Sequence, residues 1–511
     1  MDYKVTKQDV TIHSLVFDDS AEQAIDTEFT LPDYCPDIAR ILKCRITPKI
    51  GARSISGGTL SVEGAAQVNL LYVDAEKNTV RACATVLPFS KGFEVGAGLE
   101  MSSPKVRATV NYFNCRAVTQ RKVEVHGTLS LRAKVYQRRR VSVVCDVDGG
   151  GTQLLRGSVS ATNTLGEAEK FIILSEDVDI GQSKPAVRSI LRSDARAAAT
   201  ECKIIAGKVI IKGEVRVDTL YAPEGDGGLE RMESVLPVSQ IVDLEGVTED
   251  CSCALSLEVA SLEVKPRTNL SGETRGLNIA GKLTAELRGL CDGEIPVVLD
   301  AYSTRFDAEC QRNEVPFEKL LGAVSESFLC RKTLEVPRET LSSVLDLWCE
   351  TTVTSARGEG SQLALTGNVL ICLLGEDSEK APAYVEHTVE FEYRYNLPHE
   401  PQMMRCDPDV TVISASYTLL PGDQIEVRVE LGVTADIFEM HNLPVLTEVE
   451  LLADRPKPPA DASLILYYAD AGERVWDIAR KYNTSIETLV SLNGLTDSEM
   501  PGKAMLLIPS E

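Results

Sequence analysis

One unit recurs three times in this chain, and that repetition restricts the fold more than any other feature. Aligned on Gly64, Gly213 and Gly367, the copies lie roughly 150 residues apart, a domain-sized period that means duplicated domains and not a short-repeat solenoid. The segments around the glycines, GTLSVEGAAQVNLLY, GKVIIKGEVRVDTLY and SQLALTGNVLICLL, largely alternate apolar with polar residues, the period of a strand with one buried face. Leu71, Leu220 and Leu374 each fall seven positions past the glycine. The same texture returns later in each copy as KVEVHGTLSLRAKVY, LNIAGKLTAELRGL and IEVRVELGVTADIF. No phosphate-cradling run follows the repeated glycines, so they read as strand bulges or tight crossings and not as ligand contacts.

Upstream of each glycine the period changes. Ile38, Ile41 and Leu42, then Val187, Ile190 and Leu191, then Leu341, Val344 and Leu345 repeat a spacing of three and four, which predicts one short apolar helix per unit. Pro36 and Pro185 precede the first two at a position suited to a helix's first turn, and Glu339 takes that place in the third. LPFS at 87–90 matches LPVS at 236–239, whereas the third copy reads EFEY and is the most diverged. The Gly149 to Gly151 run between strand-like stretches reads as a hairpin tip. The expected fold class is therefore mainly β and multidomain, with three homologous antiparallel units.

Charge narrows the function. The chain has 511 residues and a net charge of -23, and an excess of carboxylates opposes both the phosphate neutralisation that nucleic-acid binding needs and adhesion to anionic lipid. The basic triplet Arg138-Arg139-Arg140 reads as a solvated strand end or linker. The first residues lack the pattern of a secretory signal and no run approaches membrane-spanning length, so a cytoplasmic location without direct membrane insertion is expected. Fourteen scattered cysteines, with Cys251 and Cys253 the closest pair, fit neither zinc nor redox spacing and are expected to be buried reduced thiols.

After Leu452 the sequence ADRPKPPADAS forms a Pro-rich extended spacer, and a separate small domain is expected to follow. Residues 464–511 read as strand, helix, helix and strand. Val475, Trp476, Ile478, Ala479 and Tyr482 form one apolar helical face, and Ile486, Leu489, Val490 and Leu492 form another. Ser485 is placed to cap the second helix and Asn493-Gly494 to end it.

The segment AGERVWDIARKYNTSIETLVSLNGL, followed by PGKAMLLIP, resembles a LysM domain, a small βααβ module. That resemblance implies a groove for N-acetylglucosamine-containing glycans, lined here by Gly472, Glu473, Arg474, Asn493, Gly494 and Leu495. The family's Gly-Asp-Thr turn is Gly472-Glu473-Arg474 in this chain, and a planar guanidinium in place of a small hydroxyl favours carboxylates and protein surfaces. Trp476 is expected in the module's core, with a partner contact as its alternative role.

Three β-rich units followed by one LysM resemble spore coat assembly (SPOCS) domain proteins. The expected divisions are 1–137, 138–290 and 291–452 for the repeats, 453–463 for the spacer and 464–511 for the LysM. The resemblance implies a mother-cell protein at the forespore surface that docks onto the coat's basement-layer ATPase, with peptidoglycan binding as the alternative.

Nothing in the sequence points to catalysis. His13, His126, His387, His399 and His441 are far apart in sequence, and no Ser or Cys has a nucleophile-elbow context. The acid pairs Asp18-Asp19 and Glu249-Asp250 read as solvated turn charges. The expectation is a non-enzymatic protein with no catalytic residues, no metal and no cofactor.

Overall fold

The computed structural model describes residues 3–99, 102–225, 228–269, 271–457, 464–496 and 498–509. The first unit consists of β1 (Tyr3–Thr30), β2 (Ile38–Ser56), β3 (Thr59–Asp74), β4 (Val80–Glu94), β5 (Ser103–Ala117) and β6 (Lys122–Gly149). Two antiparallel sheets result, a β2-β3-β4 meander and a β1-β6-β5 sheet built on the long β1/β6 hairpin. Their apolar faces close on one core, and β2 packs along β5 as the seam between them.

The second unit repeats this with β7 (Thr152–Asp179), β8 (Val187–Ile205), β9 (Lys208–Pro223), β10 (Glu230–Asp243), β11 (Ser252–Arg267) and β12 (Gly276–Ser303). In the third, β13 (Phe306–Glu335) pairs with β19 (Gln424–Pro456), while β14 (Ser343–Glu359), β15 (Gln362–Glu376) and β16 (Pro382–Asn396) form the meander. Two further strands, β17 (Met404–Cys406) and β18 (Asp409–Leu420), complete its hairpin sheet. The mainly β, repeated antiparallel architecture read from the sequence is thus the one observed. The positions 137, 290 and 452 fall inside β6, β12 and β19, which run unbroken through them.

The short helix expected in each unit is absent among the described residues, and its stripe lies at the start of a strand instead. In β2 the register slips between Ile38 and Arg40 and again between Ile41 and Lys43; β8 slips at the same two places. Each slip sets two residues against one, so side-chain parity shifts and apolar residues three apart return to the same face. Ile38 and Ile41 consequently both pack on the unit's own core, as do Val187 and Ile190. A bulged strand here imitates helical spacing. Pro36 and Pro185 begin no helix; their carbonyls accept hydrogen bonds from the buried Tyr72 and Tyr221 hydroxyls at 3.0 and 3.2 Å.

The repeated glycines sit opposite further bulges, as expected. A Cβ on Gly213 would lie 2.5 Å from the Ala198 carbonyl oxygen, and one on Gly367 would lie 2.4 Å from that of Thr352. Gly149 to Gly151 all have positive φ and lie at the tip joining β6 to β7.

Equivalent positions of the three units converge twice. Val143, Val297 and Val445, from β6, β12 and β19, meet in one buried cluster where the three long hairpins pack together. Around it runs a ring of ion pairs between successive hairpins, Asp146 with Arg156, Asp300 with Arg312, and Glu448 with Lys7. Leu71, Leu220 and Leu374 meet in a second cluster where the three meanders touch, joined by the bulged Leu42 and Leu191. Beside it Arg45 bridges Asp194 at 2.5 Å and Glu350 at 2.8 Å, and Arg192 holds the fully buried Asp346 at 2.8 Å while lying over the Trp348 ring. Burial would raise the Asp194 carboxyl, but the charges of Arg45 and Arg192 outweigh it and hold the group below its ordinary value.

The thiols differ from the expectation of burial. All fourteen cysteines are free, but only Cys35, Cys83, Cys251 and Cys372 are buried; the remainder are partly exposed, most of them packed against the margins of the unit cores. Arg138 to Arg140 lie exposed within β6, in mid-strand and not at its end.

Candidate functional site: a C-terminal module docked on the repeats

The C-terminal module pairs β20 (Leu464–Ala469) with β21 (Ala504–Pro509), and between them come α1 (Val475–Lys481) and α2 (Ile486–Asn493). Ser485 caps α2 by accepting the Thr488 N–H at 3.1 Å, and Gly494 ends it with φ of 60°. Val475, Trp476, Ile478, Ala479 and Leu489 are buried as read from the sequence. Leu492 is not; it is 47% exposed.

The described residues of the spacer expected at 453–463 do not form a free tether. Its first residues continue β19 to Pro456, and 458–463 lie outside the described residues. The module rests against the repeats. Trp476, 5% exposed, meets Tyr302 edge to face at 5.0 Å and donates its indole N–H to Asp300 at 2.9 Å. Arg480 reaches the same carboxylate at 2.6 Å, and the Tyr302 hydroxyl donates to the Thr484 carbonyl at 2.8 Å. Lys457 ties the end of β19 to Asn483, and Gln153 accepts the Ile486 N–H. A polar cleft of about 300 Å³ remains beside this contact, lined by Tyr302, Asp307, Glu309, Arg455, Lys457 and Arg480.

The groove residues divide into occupied and open groups. Gly472 is exposed with φ of 84°, and its N–H donates to the Met500 carbonyl. Glu473 accepts from the Tyr467 hydroxyl at 2.9 Å and from the Asp470 N–H at 3.0 Å, and that bond raises the Tyr467 phenol above its usual value. Asn493 donates to the Leu489 and Leu507 carbonyls and accepts the Leu507 N–H, which stitches α2 to β21. Leu495 packs on the module core, and Gly494 is exposed. Arg474 is held by Asp477 at 2.7 Å, with more than half of its side chain in solvent. The turn at 472–475 zips onto 498–500, which places the chain following α2 beside it.

Sequence reasoning missed the receptor for the module. Asp300 and Tyr302 close the apolar strand run PVVLDAYS, where a carboxylate at a core-facing position demands a partner. It also missed the meeting of His399 and His441 on one buried carboxylate, that of Glu439, at 2.7 and 3.1 Å. Burial raises the Glu439 carboxyl, but the hydrogen bonds from His399 and the Gln402 N–H outweigh it. Among the described residues no group of three or more His, Cys, Asp or Glu side chains has metal-holding geometry, and no helix is long and apolar enough to cross a membrane.

Three two-sheet β units with a docked βααβ module define a multidomain β protein that ends in a LysM. Family comparison agrees. The SipL SPOCS domain matches residues 37–118 and 186–267, which span β2 to β5 and β8 to β11, and the LysM domain matches 470–499. No curated protein and no solved structure matches the chain. Two of the units thus match the SipL SPOCS domain, and the C-terminal module matches the LysM domain, a peptidoglycan-binding type of module. Two SPOCS segments are matched, and the third unit, unmatched, carries the same meander and long hairpin in its fold.

Proposed function

We propose that this protein is a non-enzymatic scaffold of spore coat assembly in the mother cell, docking at the forespore surface through its LysM onto a protein partner, a coat-basement morphogenetic ATPase. The observation that carries this reading is the state of the groove. The polar atoms of Glu473 and Asn493 are committed to bonds within the module, while Arg474, paired with the surface carboxylate of Asp477, keeps more than half of its side chain in solvent. The outer face of the module's sheet supports it further: Leu464, Leu466, Tyr468 and Met505 are all exposed, and a contiguous apolar face on a small module suits a protein contact. The ATPase itself rests on the likeness to SPOCS proteins.

Arg474→Ala in the full chain is the test. A surface substitution changes stability by no more than about 0.5 kcal/mol, so binding to the purified ATPase should weaken while the thermal midpoint stays put. Wild-type affinity would remove Arg474 from the contact. The LysM match favours a second reading, in which the groove binds peptidoglycan. Titration of chitooligosaccharide into the full chain separates the two: saturable binding at micromolar concentration, without ATPase binding, supports the glycan reading. A fluorescent fusion in sporulating cells should form a shell around the forespore, and a wall-bound pattern would oppose the scaffold.

A further inference from the structure

The two sheets of each unit pack most closely along one seam without sharing backbone hydrogen bonds, β2 against β5, β8 against β11 and β14 against β18. In the first unit Cys44 of β2 and Cys115 of β5 both pack on the unit's core along that seam, near enough that each thiol shifts the other's titration. In the second unit Cys202 of β8 and Cys253 of β11 do the same. The pairs occupy opposite ends of their seams, since Cys115 lies opposite Val125 near the start of β6 whereas Cys253 lies opposite Gly289 in mid-β12. They are separate instances of one arrangement and not copies of one ancestral position. The third unit holds its seam with hydrogen bonds instead, from Thr351 to the Val410 carbonyl at 2.7 Å and from the Tyr417 hydroxyl to the Val344 carbonyl at 3.0 Å.

We propose that the seams of the first and second units are latent disulfide sites, Cys44 with Cys115 and Cys202 with Cys253, which an oxidant closes into covalent staples between the two sheets. All four residues are partly exposed, so a small oxidant reaches them; Cys35 and Cys83 also approach each other but are both sealed in the core, and in the further pair Cys251 and Cys291 the Cys251 thiol is buried. Within each pair the two thiols drive each other's titration apart, and the lowered one is the better nucleophile. Cys44 lowers Cys115, and Cys253 lowers Cys202, each against the opposing effect of burial.

The chemistry is thiol–disulfide exchange with a low-molecular-weight disulfide such as oxidised glutathione. The Cys115 or Cys202 thiolate attacks one sulfur of the reagent, forming a mixed disulfide and releasing the first small thiolate. The facing Cys44 or Cys253, deprotonated, then attacks the protein sulfur of that mixed disulfide and displaces the second. Each staple oxidises two protein thiols and reduces one reagent disulfide to two thiols, and the two protons lost by the cysteines are taken up by the leaving thiolates. Each bond closes a loop that contains most of its unit's meander, so the staple restricts the unfolded chain strongly.

Purified full-length protein, reduced and then treated with oxidised glutathione, would be denatured in acid, alkylated with N-ethylmaleimide, and measured by intact mass and peptide mapping. The expected result is that four of the fourteen cysteines escape alkylation, with linked peptides joining 44 to 115 and 202 to 253 and a raised thermal midpoint. Cys115→Ser should abolish only the first link and remove part of the rise, and Cys253→Ser only the second. Alkylation of every cysteine, stable glutathione adducts without internal links, or links confined to other pairs would each overturn the proposal.

Discussion

Removing the Asp300 carboxylate should release the LysM from the repeats without unfolding it. Asp300 is 7% exposed and accepts the Trp476 indole N–H, while Arg480 and Arg312 contact it from either side. In Asp300→Ala the indole N–H becomes a buried donor without an acceptor, a loss of about 1–3 kcal/mol. The arginines contribute less. Arg480 and Arg312 are 47% and 45% exposed, so solvent holds each pair to no more than about 1 kcal/mol. A combined loss near 3 kcal/mol moves the docking equilibrium on the order of 100-fold, at about 1.4 kcal/mol per factor of ten. The module's own core, centred on Ile478, Leu489, Leu506 and Ile508, does not involve Asp300 and should survive. Hydrogen exchange read by mass spectrometry should speed up in peptides covering Trp476 to Thr484 and in those covering β12 near Tyr302, with β20 and β21 little changed. Asp300→Asn keeps an acceptor for the indole and should show a smaller effect. If Asp300→Ala leaves exchange at Trp476 to Thr484 within twofold of wild type, this carboxylate is not what holds the module in place.

Two further outcomes follow from the repeats. Gly213→Ala should lower the urea midpoint without changing the slope, by about 1–3 kcal/mol, because its Cβ meets the Ala198 backbone and not a yielding side chain; an unchanged midpoint would mean the bulge relaxes freely. Acid should separate the units. Burial raises Asp407 as it does Asp194, yet Lys134 and Tyr136 of the first unit hold Asp407 below its ordinary value of 3.8, as Arg45 and Arg192 hold Asp194. A depressed folded pKa gives stability that is complete above about pH 4 and is lost as pH falls through the lower folded values. Denaturation midpoints at pH 7, 4 and 3 should therefore fall less steeply in the Asp194→Asn, Asp407→Asn double variant than in wild type.

Strand alternation, the bulge glycines, the hairpin tip at 149–151 and the LysM with its Ser485 and Gly494 caps were all legible, because each is dictated within a few residues of itself. What could not be read locally depends on parity or on distant partners. A bulge inserts one residue and converts strand spacing into helical spacing, so the stripe at Ile38 and Ile41 carried the wrong period. Trp476 was expected inside the module, and it is buried; but half of its environment, Asp300 and Tyr302, comes from a strand more than 170 residues away. Shorter but still non-local separations concealed His399 on Glu439, forty residues on, and the thiol pairs on the seams.

The divergence of the third copy, ambiguous in sequence, acquires a physical meaning at the junction of the meanders. Lys43, Arg192 and Asp346 hold the same register position, opposite Leu71, Leu220 and Leu374. Two residues along, Arg45, Asp194 and Trp348 are likewise equivalent, opposite Asn69, Asp218 and Cys372. Three identical copies would gather like charges around one point, whereas these differences place Arg192 on Asp346 and Arg45 on Asp194. Complementary charge excludes the wrong order of units as well as favouring the right one. Asp346→Arg, which gives the third unit the residue of the second, should then cost more than Asp346→Asn, since it replaces a buried attraction by repulsion and not merely by neutrality; breaking such a pair costs about 3–5 kcal/mol even without the added charge. Adding Arg192→Asp to Asp346→Arg should recover part of the loss. Equal destabilisation by the Asn and Arg variants, or no recovery in the double variant, would make the third copy's divergence drift and not a device that fixes the order of the repeats.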